Sequence, residues 1–207
     1  MTPVPSDSAL HRQLRQATKR PHHVLDHHPL LAPLLRPDLT LAQYGNALAS
    51  LHGIGQAAET GILAFLAQHP QPFDYQARLK VWALEADLAA LGRQPLGLAT
   101  DFPVPQNIGG LIGVLYVMEG ATQGGLMIAR LLQALPIAPL PTAHFSVYGS
   151  TAAQKWAEFL QFADEQATPE VLDTAVVTAT GVFDAIQCHL DACMKQLGAG
   201  VLVCEPA

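Results

Sequence analysis

Five of the nine histidines crowd the start of the chain: His11, His22, His23, His27 and His28. His22 is followed one helical turn later by Asp26. In a helix this spacing puts imidazole and carboxylate on one face, where the carboxylate can hold one ring nitrogen and leave the other for a metal. The same spacing also serves an ordinary surface pair. His23 and His27 repeat it and could share a zinc ion, but no cysteine or suitably spaced carboxylate completes that set.

The second chemically suggestive stretch is LYVMEGATQGGLMIAR, Leu115 to Arg130. It reads as helix, yet it holds Gly120, Gly124 and Gly125, each costing about 1 kcal/mol against alanine in a helix interior. Such a cost implies something that needs the room, and Gly120 and Gly124, four residues apart, share a face.

The elements that would position these residues are helical almost throughout. The spacing predicts a first helix over Ser8 to His27, capped by Asp7 or Ser8 and closed by Pro29. A second opens after Thr40, carries Tyr44, Leu48, Leu51 and Ile54, and runs until the HPQP segment. A third starts at Asp74 and ends at Gly92 as its C′ residue. After the proline-marked connection RQPLGLATDFPVPQN comes the glycine helix, Asn107 to Leu135. PIAPLPTAHFSVYGS is irregular. Two further helices cover Thr151 to Gln166 and Pro169 to Leu197, with Gly198 past the end of the last. No strand alternation, repeat or low-complexity tract interrupts this, so the expectation is an all-α single domain over residues 1–207, with 1–7 and 199–207 as flexible tails.

Half the residues are hydrophobic and 14% are charged, enough for a substantial core. A net charge of −6 argues against nucleic acid as a partner. The start MTPVPSDS lacks the features of a signal peptide, and no uninterrupted apolar run looks long enough to cross a membrane. Cys188, Cys193 and Cys204 are not spaced for zinc and fit reduced thiols. A cytoplasmic protein without membrane contact is expected.

Taken in order, LRQATKRPHHVLD and LYVMEGATQGGLMIAR resemble the signatures of the haem oxygenase family, in its bacterial biliverdin-producing branch. Leu14, Arg15, Ala17, Thr18, His22, Leu25 and Asp26 match the first pattern. Tyr116, Val117, Glu119, Gly120, Gly124 and Gly125 match the second. ALEADLAALG (83–92), HFSVYG (144–149) and KWAEFL (155–160) are weaker echoes in the same order, so the resemblance covers most of the chain.

The resemblance implies a helical bundle with haem sandwiched between the first, proximal helix and a glycine-kinked distal helix. His22 would be the iron ligand and Asp26 its partner, bonded through water because aspartate is a methylene shorter than the family's glutamate. Gly120 and Gly124 would form the catalytic distal face, with Gly125 beside them. Arg15, Lys19, Arg130 and Lys155 would meet the haem propionates.

The implied reaction cleaves haem, at once substrate and cofactor, to biliverdin, CO and ferrous iron. It uses O2 and an external electron donor: ferredoxin, flavodoxin or an NAD(P)H-dependent reductase. A phytochrome could receive the biliverdin. Ala121 stands where animal members carry aspartate, which leaves distal water to the backbone, Thr122 or Gln123. The alternative is a haem-binding or haem-delivery protein of the same fold without catalysis.

Overall fold

The structure is a computed structural model that describes residues 8–137 and 139–201, the last three by their backbone alone. The predicted tail 1–7, residues 202–207 of the other tail, and Cys204 therefore lie outside the described residues. Among the described residues all regular structure is helical: α1 (Ala9–Asp26), α2 (Leu41–Gln68), α3 (Val81–Ala90), α4 (Ile108–Gln133), α5 (Ala152–Glu165) and α6 (Pro169–Val201), with 3-10 turns at Ala32–Leu35, Gln76–Arg78 and Gly149–Thr151.

The helix ends follow local chemistry. Ser8 caps α1 by accepting from the His11 N–H at 3.1 Å. Thr40 and Gln43 form a reciprocal capping box at the start of α2. Asn107 caps α4 through the Gly110 N–H. Gly92, with φ +61°, closes α3 in a Schellman arrangement in which Gly92 N–H reaches Ala89 O and Arg93 N–H reaches Leu88 O.

Several expectations are corrected. α1 ends at Asp26, so His27 and His28 lie beyond it. Asp74 accepts from the Ala77 N–H and starts a 3-10 turn, and α3 proper begins only at Val81. α6 does not stop at Gly198 but continues to Val201, because glycine within an otherwise apolar helix costs too little to end it without a left-handed turn. By length and mean hydropathy (1.3), both α4 and α6 could cross a membrane, contrary to the sequence expectation. Their apolar faces instead pack on each other.

That packing is close. The α4 glycines Gly109 and Gly113 lie against α6: a Cβ on Gly109 would sit 2.7 Å from Val171 O and from Thr174 Cβ, and one on Gly113 would sit 2.6 Å from Ala175 O. Leu111, Ile112, Val114 and Leu115 then join Ala175, Ala179, Val182 and Leu190 in the main core. α1 also lies along α6, through buried Leu10, Leu14 and Leu25 and through the ring of His22, 5.9 Å from that of Phe183. Just past α1, buried His28 reaches Asp191 at 3.4 Å. α1 and α4 therefore run side by side in the same direction on α6.

Candidate functional site

α1 and α4 meet through side chains. Thr18 Oγ1 lies 3.5 Å from Tyr116 OH, and the His11 ring centroid is 6.4 Å from that of Tyr116 and 5.8 Å from that of Trp156. Burial pushes the Tyr116 phenol above its ordinary pKa, opposed by the Thr18 bond and by the nearby charge of Arg15. One turn further along each helix stand His22 and Gly120, and the 3-10 turn after α1 packs on α4 beyond them.

His22 is well exposed, at 65%, and its Nδ1 lies 2.9 Å from Asp26 Oδ2. The bond is direct, correcting the expectation of a bridging water: across one turn of regular helix the shorter aspartate still reaches. With Asp26 ionised, Nδ1 carries the hydrogen and donates it, which leaves the Nε2 lone pair unused by any described residue. His23 and His27 contact each other, with ring centroids 4.3 Å apart, and His27 Nδ1 is engaged by the His23 carbonyl. Among the described residues no group of three metal-ligating side chains forms, so the zinc alternative finds no third ligand.

On the α4 side the three glycines divide. A Cβ on Gly120 would meet only the rim of the Trp156 ring, at 3.7 Å, and one on Gly124 would meet nothing within 4 Å. Gly125 faces the other way, where a Cβ would come within 2.8 Å of Phe145 O. Gly120 and Gly124 thus open a face that continues through the exposed Met127 and Leu131, while Gly125 is a packing residue. No α4 glycine has positive φ and the helix is continuous, so the room comes from missing side chains rather than from a break.

Of the basic residues, Arg15 and Lys19 stand exposed on α1, on the turns before His22. Arg130 is exposed in the last turn of α4. Lys155 is turned to the rear of α4, where its Nζ reaches Ala77 O at 3.4 Å and lies 5.9 Å from the Tyr148 ring centroid. Thr122 and Gln123 are also engaged: Thr122 Oγ1 donates to Glu119 O at 2.6 Å, and Gln123 Nε2 donates to Ala152 O at 3.1 Å.

Sequence reasoning missed the polar cluster directly behind this face. Glu119, fully buried, receives Arg78 Nη1 at 2.7 Å, Lys80 Nζ at 2.6 Å and the Tyr148 hydroxyl at 3.1 Å. The only hint was a glutamate in an apolar run, without its partners. The weaker family echoes belong to the same support. Asp87, in ALEADLAALG, accepts the backbone N–H groups of Ala143 and His144 at 2.9 Å each and so fixes the segment carrying Phe145 and Tyr148. Burial raises the Asp87 pKa, and those two bonds oppose the rise.

The sequence matches no family model and no curated protein. Solved structures match in fold. Heme oxygenase-1 from the cyanobacterium Synechocystis, in complex with heme, aligns with a TM-score of 0.68 and 17% identity over 94% of this chain and 98% of that one. The heme oxygenase from Leptospira interrogans gives 0.65 and 16%, over 88% and 98%. The NO- and CO-bound heme oxygenase from Neisseria meningitidis gives 0.62 and 19%, over 89% and 91%. The chain has the haem oxygenase fold; at these identities the likeness extends to the fold alone.

Proposed function

We propose that the protein is a haem oxygenase of the bacterial, biliverdin-producing kind. One observation carries the proposal: an exposed histidine, oriented by its own aspartate and with Nε2 unused, stands one turn beyond the contact that brings α1 to α4, and α4 presents an open glycine face one turn beyond the same contact. The residues fit the group. His22 would hold the iron through Nε2, with Asp26 fixing the tautomer and raising ligand basicity. Gly120 and Gly124 would let the α4 backbone approach a flat macrocycle, and Met127 and Leu131 would extend the apolar face. Arg15 and Lys19 suit the propionates. Arg130 is a further cation for them, whereas Lys155 would first have to leave Ala77 O.

Haem, as substrate and cofactor, supplies the O2-binding iron and the meso carbon that is cut, giving biliverdin, CO and ferrous iron with electrons from an external donor. The chain's part is to hold and orient. His22 would hold the group from the α1 side, and the side-chain-free turn of α4 would leave the facing side open. With Ala121 unable to organise water, and Thr122 and Gln123 engaged on the held side of the helix, the carbonyls of α4 are the groups left to hold a proton-delivering water. We assign the protein to the cytoplasm, served by a ferredoxin, a flavodoxin or an NAD(P)H-dependent reductase, with a phytochrome as one acceptor of the bilin.

Ala121, and the prior engagement of Thr122 and Gln123, favour a second reading: a haem carrier that does not degrade its cargo. One experiment separates the two. The chain is titrated with haemin, then given ascorbate in air. Loss of the Soret band with growth of biliverdin absorption, abolished in His22→Ala, is the expected result. A stable haem spectrum establishes the carrier, and no binding removes both readings.

A further inference from the structure

The back of α4 is held as deliberately as its front is left open. Three attachments fall within two turns: the Glu119 carboxylate on Arg78, Lys80 and Tyr148, Gln123 Nε2 on Ala152 O, and Gly125 against the Phe145 carbonyl. At about 100° per residue, Glu119 and Gln123 point within about 40° of each other and Gly125 lies about 120° to the far side of Glu119. Gly120 and Gly124 then lie about opposite the middle of that arc. A helix fixed by apolar packing alone can rotate by small amounts at little cost, because dispersion contacts have no strong direction. Charge-assisted hydrogen bonds do have direction.

A buried ion cluster is also not the cheapest source of stability, since well-packed apolar groups often serve as well. What the cluster offers is a single geometry. Its far side is itself anchored. Arg78 continues to Glu158 at 3.0 Å and to Lys155 O at 3.0 Å, and Lys80 Nζ binds Arg78 O and the Tyr148 hydroxyl, each at 3.0 Å.

We propose that Glu119, through Arg78, Lys80 and Tyr148, is a positioning residue that sets the rotation of α4, so that Gly120 and Gly124 face His22 and fix which edge of a bound ring meets the glycine face. The consequence for a ring rests on the haem reading above; the clamp itself does not. Two variants test it in the full chain. Tyr148→Phe removes one hydroxyl, and Glu119→Gln keeps the shape but loses the charge.

In the ligand-free protein, amide hydrogen exchange across 116–127 should accelerate about tenfold or more in either variant, while 108–115, packed on α6, stays as in the wild type. In the haemin-loaded, reduced protein with CO as probe, the C–O stretching band should split or broaden while haemin affinity stays within about threefold, since His22 is untouched. Exchange that quickens equally along the whole of α4, or variants whose exchange and C–O band both match the wild type, overturn the proposal. If Glu119→Gln does not fold, Tyr148→Phe carries the test. A wild type that binds no haemin, with exchange still localised to 116–127 in Tyr148→Phe, removes the haem reading and leaves the clamp standing.

Discussion

α4 contains two pairs of glycines at the same spacing, and the fold uses them for opposite ends. Gly109 and Gly113 bring the helix so close to α6 that an added Cβ would fall 2.6–2.7 Å from backbone oxygens. Gly120 and Gly124, less than two turns further on, face a ring edge at 3.7 Å and open space. The first pair gives contact and the second gives vacancy. Glycine at i and i+4 therefore says only that a surface without side chains is wanted, and the neighbouring element decides what for. Gly125 sides with the first pair although it adjoins the second.

The largest expected effect tests the packed pair. Gly113→Ala meets Ala175 O and Ala179 N, backbone atoms that cannot turn away, and should destabilise the fold by about 3 kcal/mol. A shift in urea midpoint at constant slope would register it. A loss under about 0.5 kcal/mol would mean that α4 and α6 lie further apart than described. Gly125→Ala, against the single carbonyl of Phe145 in an irregular segment with more freedom to adjust, should cost about 1–2 kcal/mol in the same assay.

A pH series probes the side of α4 opposite its open face. His144, beside Phe145, has its pKa pushed down to about 4 from 6.5, chiefly by burial and further by the charge of Lys80, and its Nδ1 is buried without a partner. A base whose folded pKa is depressed leaves the unfolded chain binding more protons between the two values. Stability should therefore fall as pH drops from about 6.5 towards about 4. Urea midpoints at pH 7 and pH 5 would show the fall, and His144→Gln should flatten it. A pH response that His144→Gln leaves unchanged would assign it to other groups.

The smallest effect belongs to the open pair. Gly120→Ala or Gly124→Ala should leave stability unchanged or raise it by up to about 1 kcal/mol, through helix propensity alone. Gly124→Leu sharpens the contrast: the ligand-free protein should melt within a few degrees of the wild type, yet on the proposed reading it should bind haemin about tenfold or more weakly, because the side chain would fill the open face. Normal haemin affinity in Gly124→Leu would show that the open face is not where the ring lies.

Much of the fold was legible because it depends on interactions three or four residues long. Ser8, Thr40 and Asn107 cap as their types dictate, Gly92 closes α3, and Pro169 opens α6. His22 and Asp26 pair for the same reason, since one helical turn fixes their separation whatever the rest of the chain does. The expected water between them was unnecessary because that turn already brings the shorter carboxylate to 2.9 Å. Trp82 shows the limit of composition as a guide: although it is a large apolar residue of α3, it lies more than half exposed, with its indole nitrogen donating to Leu79 O.

What the sequence determined by itself is the set of helices, several of their caps and the His22–Asp26 pair, all products of backbone geometry and of side chains within one turn. The tertiary structure alone decided which glycines pack and which stay open, because the motif looks the same until Val171, Ala175 and Phe145 are brought beside it. It also decided that Glu119 is held by Arg78 and Lys80, 41 and 39 residues away, and by Tyr148, 29 residues on. A carboxylate in an apolar run is too costly to bury alone, so its presence announced that partners must exist. Only the folding of the turn before α3 and of the segment before α5 against α4 could supply them.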